Sequence, residues 1–148
     1  MPSLRVEQAT LADLPRMAEM LAPFHHAEAD RAKQAEGLRF LLEHPSHGHI
    51  GVVRKEGHVI ALACLISTIS TAEGGFVLWL EDLVIDPAHR EEGCGAMLLG
   101  YTVHYASENG FLRITALPEQ MPPEAQRAFC ERGFERSGMI PMRRLITA

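Results

Sequence analysis

The stretch Leu80-Glu81-Asp82-Leu83-Val84-Ile85-Asp86-Pro87-Ala88-His89-Arg90-Glu91-Glu92-Gly93-Cys94-Gly95-Ala96 decides how this chain is read. Its first part ends an apolar run over residues 76–85, long enough for a strand and apolar at odd and even positions alike, the pattern of a strand covered on both faces. Pro87 stops that strand. Residues 95–108 then carry Met97, Leu98, Tyr101, Thr102 and Tyr105 on neighbouring turns and close at Asn109-Gly110, which reads as a helix. Gly93 and Gly95 permit positive φ and present no Cβ, so the connecting loop is expected to turn successive backbone N–H groups toward an anion at the positive end of the helix. A bare Gly-x-Gly also occurs in ordinary strand-to-helix turns, so the loop takes its meaning from its surroundings.

Working outward, Leu4, Val6 and Gln8 alternate with charged residues as a short strand, and Thr10 caps a helix expected over residues 11–21. A second helix is expected over 28–44, ended by Pro45 and Gly48. Residues 50–54 and 59–69 read as a hairpin turning at Glu56-Gly57, and Gly74-Gly75 turns the chain into the run at 76–85. Residues 111–117 form the next strand, Pro122 or Pro123 opens a helix through Arg132, and residues 139–146 read as a closing strand interrupted by Pro141. The sum is an α/β domain over 1–148, with a mixed, mostly antiparallel central sheet flanked by helices on both faces.

Composition narrows the function classes. Apolar residues make up 47% and charged residues 22%, values of a globular chain with a core to build. The formal charge is −5 and lysines and arginines are scattered, so nucleic acid is not an expected partner. No apolar run approaches a membrane span, and the N-terminus lacks the pattern of a signal peptide. Cys64, Cys94 and Cys130 are odd in number and far apart, which favours free thiols and a cytoplasmic location.

Arg90, two residues, Gly93, one residue, Gly95, after a strand ending Leu83-Val84-Ile85-Asp86-Pro87, resembles the acetyl-CoA signature of the GNAT family of N-acetyltransferases. The order of elements fits that family over nearly the whole chain, and Leu80-Glu81-Asp82-Leu83 is similar to the matching strand of the polyamine (spermidine/spermine) acetyltransferases within it. The resemblance implies a sheet splayed beside residues 83–85, with the backbone of Leu83, Val84 and Ile85 along the pantetheine arm and the amides of Arg90, Glu91, Glu92, Gly93, Cys94, Gly95 and Ala96 on the pyrophosphate. It implies acetyl-CoA as cosubstrate, a small-molecule amine as acceptor and, as often in the family, a homodimer. This chain departs from the family pattern at Glu91, where glycine is common, and at Ala96, where a hydroxyl residue is common. It departs again at Phe129, the position near the cofactor where a tyrosine commonly protonates the departing thiolate, and at Pro122, where asparagine is common.

Glu81 and Asp82 are the candidate catalytic residues, because carboxylates inside an apolar strand need a partner or a purpose. An alkylammonium group of pKa about 10.4 holds its proton at pH 7 with about 4.6 kcal/mol that a nearby base removes locally. Glu81 is the first choice and Asp82 the second, on opposite faces unless a bulge intervenes; a structural ion pair is the plain alternative for each. His25 and His26 are placed at the acceptor mouth. The histidines at 44, 47 and 49 form no convincing metal set, and Tyr101 with Tyr105 reads as core packing. Phe129, Pro122 and the acidic loop keep one rival reading open, a non-catalytic acyl-CoA-binding module.

Overall fold

The computed structural model of the protein describes residues 3–24, 30–118 and 123–146. Among these residues five strands form one sheet: β1 (Leu4–Gln8), β2 (Gly48–Lys55), β3 (His58–Ser70), β4 (Gly75–Ile85) and β5 (Ile114–Ala116). They lie in chain order, antiparallel from β1 to β4, with β5 parallel to β4. Among the described residues four α-helices cover the sheet: α1 (Leu14–Leu21), α2 (Arg31–Glu43), α3 (Cys94–Glu108) and α4 (Pro123–Cys130).

The hairpin from β2 to β3 turns at Glu56 and Gly57, both with positive φ. β3 is the middle strand and its side chains divide between the two faces. Leu62 and Cys64 join Met17, Met20, Leu21 and Leu38 under α1 and α2. Ala61, Ala63 and Leu65 join Leu98, Leu99 and Phe129 under α3 and α4. The same two-sided burial explains the apolar runs seen in the sequence.

Helix boundaries follow local caps. Residues 11–13 make a short 3-10 turn in which the Thr10 amide donates to Asp13 Oδ2 at 2.8 Å, so the α-helix starts only at Leu14, with Pro15 in its first turn. Asp30 caps α2 by accepting from the amides of Ala32 and Lys33, which sets its start at Arg31 rather than 28. The strand expected over 111–117 is paired only at 114–116. Leu112 still donates a backbone bond to Phe76 O at 3.0 Å.

The expected closing strand at 139–146 is absent: the segment is irregular, with Ile140 84%, Met142 93% and Ile146 89% exposed. Met139 and Ile140 are adjacent rather than alternating, and Pro141 removes an N–H, so the segment has neither a clean apolar face nor a complete ladder edge.

Candidate active site

The site is built where β4 changes phase. Opposite β3, Cys64 pairs with Asp82 and Leu65 with Leu80, so Glu81 is the extra residue of a β-bulge. Before the bulge Leu78 and Leu80 face α3; after it Leu83 and Ile85 do, while Val84 packs with α1 and α2. The bulge thus resolves the sequence expectation that the two carboxylates diverge. Glu81 and Asp82 both line one cavity of about 370 Å³, beneath Leu21 of α1 and Leu38 and Leu41 of α2.

Cys64 lines the same cavity, and its thiol hydrogen-bonds the Asp82 carboxylate. Burial, reinforced by the negative charges of Asp82 and then Glu81, pushes that thiol well above its ordinary range. Cys64 is therefore a hydrogen-bond donor to Asp82 and not a thiolate nucleophile.

Gln34 of α2 also lines the cavity, and both its amide atoms are buried without a hydrogen-bond partner among the described residues. An unmade hydrogen bond of this kind costs about 1–3 kcal/mol per group. Gln34 did not figure among the residues expected from the sequence. Its signal was there: with Leu38 and Leu41 it occupies positions 34, 38 and 41, one stripe of the helix, as the polar member of an apolar row.

From the bulge onward the sheet also opens. The β4–β5 ladder ends at Leu80–Ala116, so residues 81–85 have no β5 partner on that edge. Asp86 then caps a turn at Pro87–His89 by accepting from the Ala88 amide, and Arg16 of α1 holds it at 2.5 Å. That amide first, and Arg16 second, lower the Asp86 pKa. Arg90 is exposed.

Gly93 caps α3 with φ +83°, a conformation that glycine adopts without strain, and Glu91 is left-handed as well at φ +70°. Gly95 is helical; its hydrogen faces Ile85, whose Cδ1 would lie 3.4 Å from a Cβ there. The sequence expectation of positive φ thus holds at Gly93 and not at Gly95, where the helix has already begun. The first intrahelical bond runs from Met97 N to Gly93 O at 3.1 Å, so the amides of Cys94, Gly95 and Ala96 precede the helical ladder and point out of its positive end.

The acidic loop is less negative than its sequence. Glu92 accepts from Lys55 Nζ at 2.5 Å and from His89 Nδ1 at 2.6 Å, and these two contacts, Lys55 first, lower its pKa. Cys94 is buried, which raises its thiol pKa.

Phe129 is 7% exposed and meets Phe134 edge-on at 5.1 Å, inside the core under α3. Its ring packs against the core residues beneath α3 and α4. His25, His26 and Pro122 lie outside the described residues. His44 and His47 gather round the Phe40 ring, whereas His49 turns to α3. There it lies 2.6 Å from the Tyr101 hydroxyl, stacks on Tyr105 at 4.0 Å, and has its pKa lowered by burial. Tyr101 therefore does more than pack, which the sequence had not indicated.

Known proteins match this arrangement. Residues 14–134 match the family described as Acetyltransferase (GNAT) family. A Bacillus subtilis (strain 168) protein called Uncharacterized N-acetyltransferase YhfO is 25% identical over 138 residues, covering 89% of this chain and 90% of its own. A possible acetyltransferase from Clostridium difficile 630 superposes with TM-score 0.81 at 17% identity, over 98% of this chain and 99% of its own. The aminoglycoside N-acetyltransferase AAC(6')-Iy, solved with CoA, gives TM-score 0.81 at 14% identity, over 98% and 96%. The chain belongs to the GNAT family and is an acetyltransferase of that fold.

Proposed function

We infer that the protein transfers an acetyl group from acetyl-CoA to a small amine by direct attack within one ternary complex. The observation that carries this reading is the bulge at Glu81, which sets two carboxylates in one cavity beside the opened edge of β4. The strand-to-helix loop fits the donor's diphosphate. Three amides precede the α3 ladder, Gly93 holds the turn open, and Glu92 is already compensated by Lys55 and His89, which leaves Glu91 as the unwelcome charge.

In this reading the ammonium group enters the carboxylate pair, and Glu81 takes its proton directly or through water. The free amine attacks the acetyl carbonyl, polarised by a strand amide near Leu83, and a new C–N bond replaces the C–S bond as CoA thiolate leaves. Asp82, steadied by the Cys64 thiol, holds the cationic acceptor. Phe129 cannot donate a proton. A thiol of pKa about 8.5 is a good leaving group near neutrality, and water relays to it the proton that the nitrogen loses on becoming an amide. The chain's free cysteines Cys64, Cys94 and Cys130 accord with a cytoplasmic setting.

The test has two arms. Acetyl-CoA at 100-fold excess over its Kd is expected to raise the melting temperature by about 5 °C or more. Gly95→Glu is expected to abolish that rise by crowding the loop with size and charge. The second arm measures release of free CoA thiol in the presence of a panel of amines. Binding without amine-dependent thiol release would overturn transfer to amines, and absence of binding would overturn the assigned donor.

A further inference from the structure

We propose that Gln34 reads a hydroxyl group on the acceptor, so that this site, taken as the amine acetyltransferase site above, favours hydroxylated amines over plain alkylamines and polyamines. Gln34 stands in the cavity wall with Leu38 and Leu41, and its amide nitrogen and oxygen are both buried and both without a partner among the described residues. An apolar residue of the same length would fill that stripe of α2 without leaving polar atoms unpaired. The amide turns about soft terminal torsions, and the open volume beside it is the cavity that its own residue lines.

The chemistry of the occupant follows from what is unpaired. The Gln34 amide offers N–H donors and a carbonyl acceptor, and only a group that both accepts and donates answers the two at once. A hydroxyl does this. An ammonium group donates only and would leave the N–H unpaired; a carboxylate accepts only and would face Glu81 and Asp82 in the same cavity. The acceptor therefore places its ammonium group at the carboxylates, its carbon skeleton against Leu21, Leu38 and Leu41, and a hydroxyl at Gln34.

The experiment compares initial acetyl-transfer rates to the isomeric aminocyclohexanols, cyclohexylamine and 1,4-diaminobutane, in wild type and in Gln34→Met, which keeps length and helix propensity. For the wild type, kcat/KM for the best aminocyclohexanol is expected to exceed that for cyclohexylamine by about 10–100-fold. In Gln34→Met the ratio is expected to fall below about 3-fold through loss on the hydroxylated substrate alone, with the KM for acetyl-CoA unchanged. The melting temperature of the unliganded variant is expected to rise by about 2–6 °C, because the unpaired amide is gone. An unchanged ratio in the variant, or a wild type indifferent to the hydroxyl, would overturn the role of Gln34 while leaving amine transfer standing. A melting temperature lowered by several degrees would show the amide to be paired structurally and would equally overturn it. No transfer to any of these amines, in either protein, would overturn the underlying amine reading and this inference with it.

Discussion

Two acidic pairs lie ten residues apart, Glu81-Asp82 in β4 and Glu91-Glu92 in the loop before α3, and the protein treats them in opposite ways. The first pair is drawn into a cavity by a bulge, with apolar walls and a thiol hydrogen bond on Asp82. The second pair is divided: Glu92 is held by Lys55 and His89, and Glu91 is exposed in a left-handed conformation. The same two charges are thus chemistry in one place and loop electrostatics in the other. What separates them is the surroundings: the first pair lines an open cavity, whereas in the second Glu92 is held by Lys55 and His89.

The sharpest way to break that contrast is Glu81→Gln, which keeps shape and removes the proton acceptor. Turnover at neutral pH is expected to fall by about 10²–10⁴-fold with acetyl-CoA binding retained, and to recover in part at high pH as the amine deprotonates unaided. Its pH–rate profile beside that of Asp82→Asn ranks the two carboxylates. For Asp82→Asn a smaller loss, about 10-fold and mostly in the KM for the amine, is expected if this residue holds the cation. Wild-type turnover in Glu81→Gln across the pH range would end its assignment as base.

In the loop pair the effects are smaller and differ in sign. Glu91→Gly removes a left-handed non-glycine residue and one negative charge near the diphosphate. It is expected to raise the melting temperature by about 1–4 °C and to lower the KM for acetyl-CoA, measured by thermal unfolding and saturation kinetics. Glu92→Gln is expected to have the smallest effect. Because its folded pKa lies below the ordinary value, the Glu92 contribution to stability is present above the unfolded pKa and is lost as pH falls through the folded one. The variant should therefore show a flatter acid side in a plot of melting temperature against pH, most visible below about pH 4.5. A steeper acid side would contradict the ion pairs with Lys55 and His89.

Much of this molecule is legible in its residues. The two-sided apolar run of β4, the Glu56-Gly57 turn and the sequence of strand, loop and helix around Gly93 point to an α/β sheet with helices on both faces. The segment at 139–146 misled, because five large apolar residues resemble a strand although Met139 and Ile140 are adjacent and Pro141 breaks the ladder. Glu81 and Asp82 stood out as carboxylates in an apolar run. Gln34 did not: its place in one stripe with Leu38 and Leu41 is visible in the sequence, but only the packed structure shows what surrounds its amide.

From sequence alone came the identity of the groups: which residues are carboxylates, where glycine lets the chain turn, and which runs are apolar enough to be buried. The tertiary structure alone decided which of those groups meet. Side chains alternate along a strand with period two, and only the cross-strand register of β3, which pairs Cys64 with Asp82 and Leu65 with Leu80, inserts the bulge that brings Glu81 to the same cavity as its neighbour. Whether an amide such as that of Gln34 finds a partner, or whether Lys55 reaches Glu92, is likewise a matter of distance between elements far apart in the chain, which no local pattern encodes.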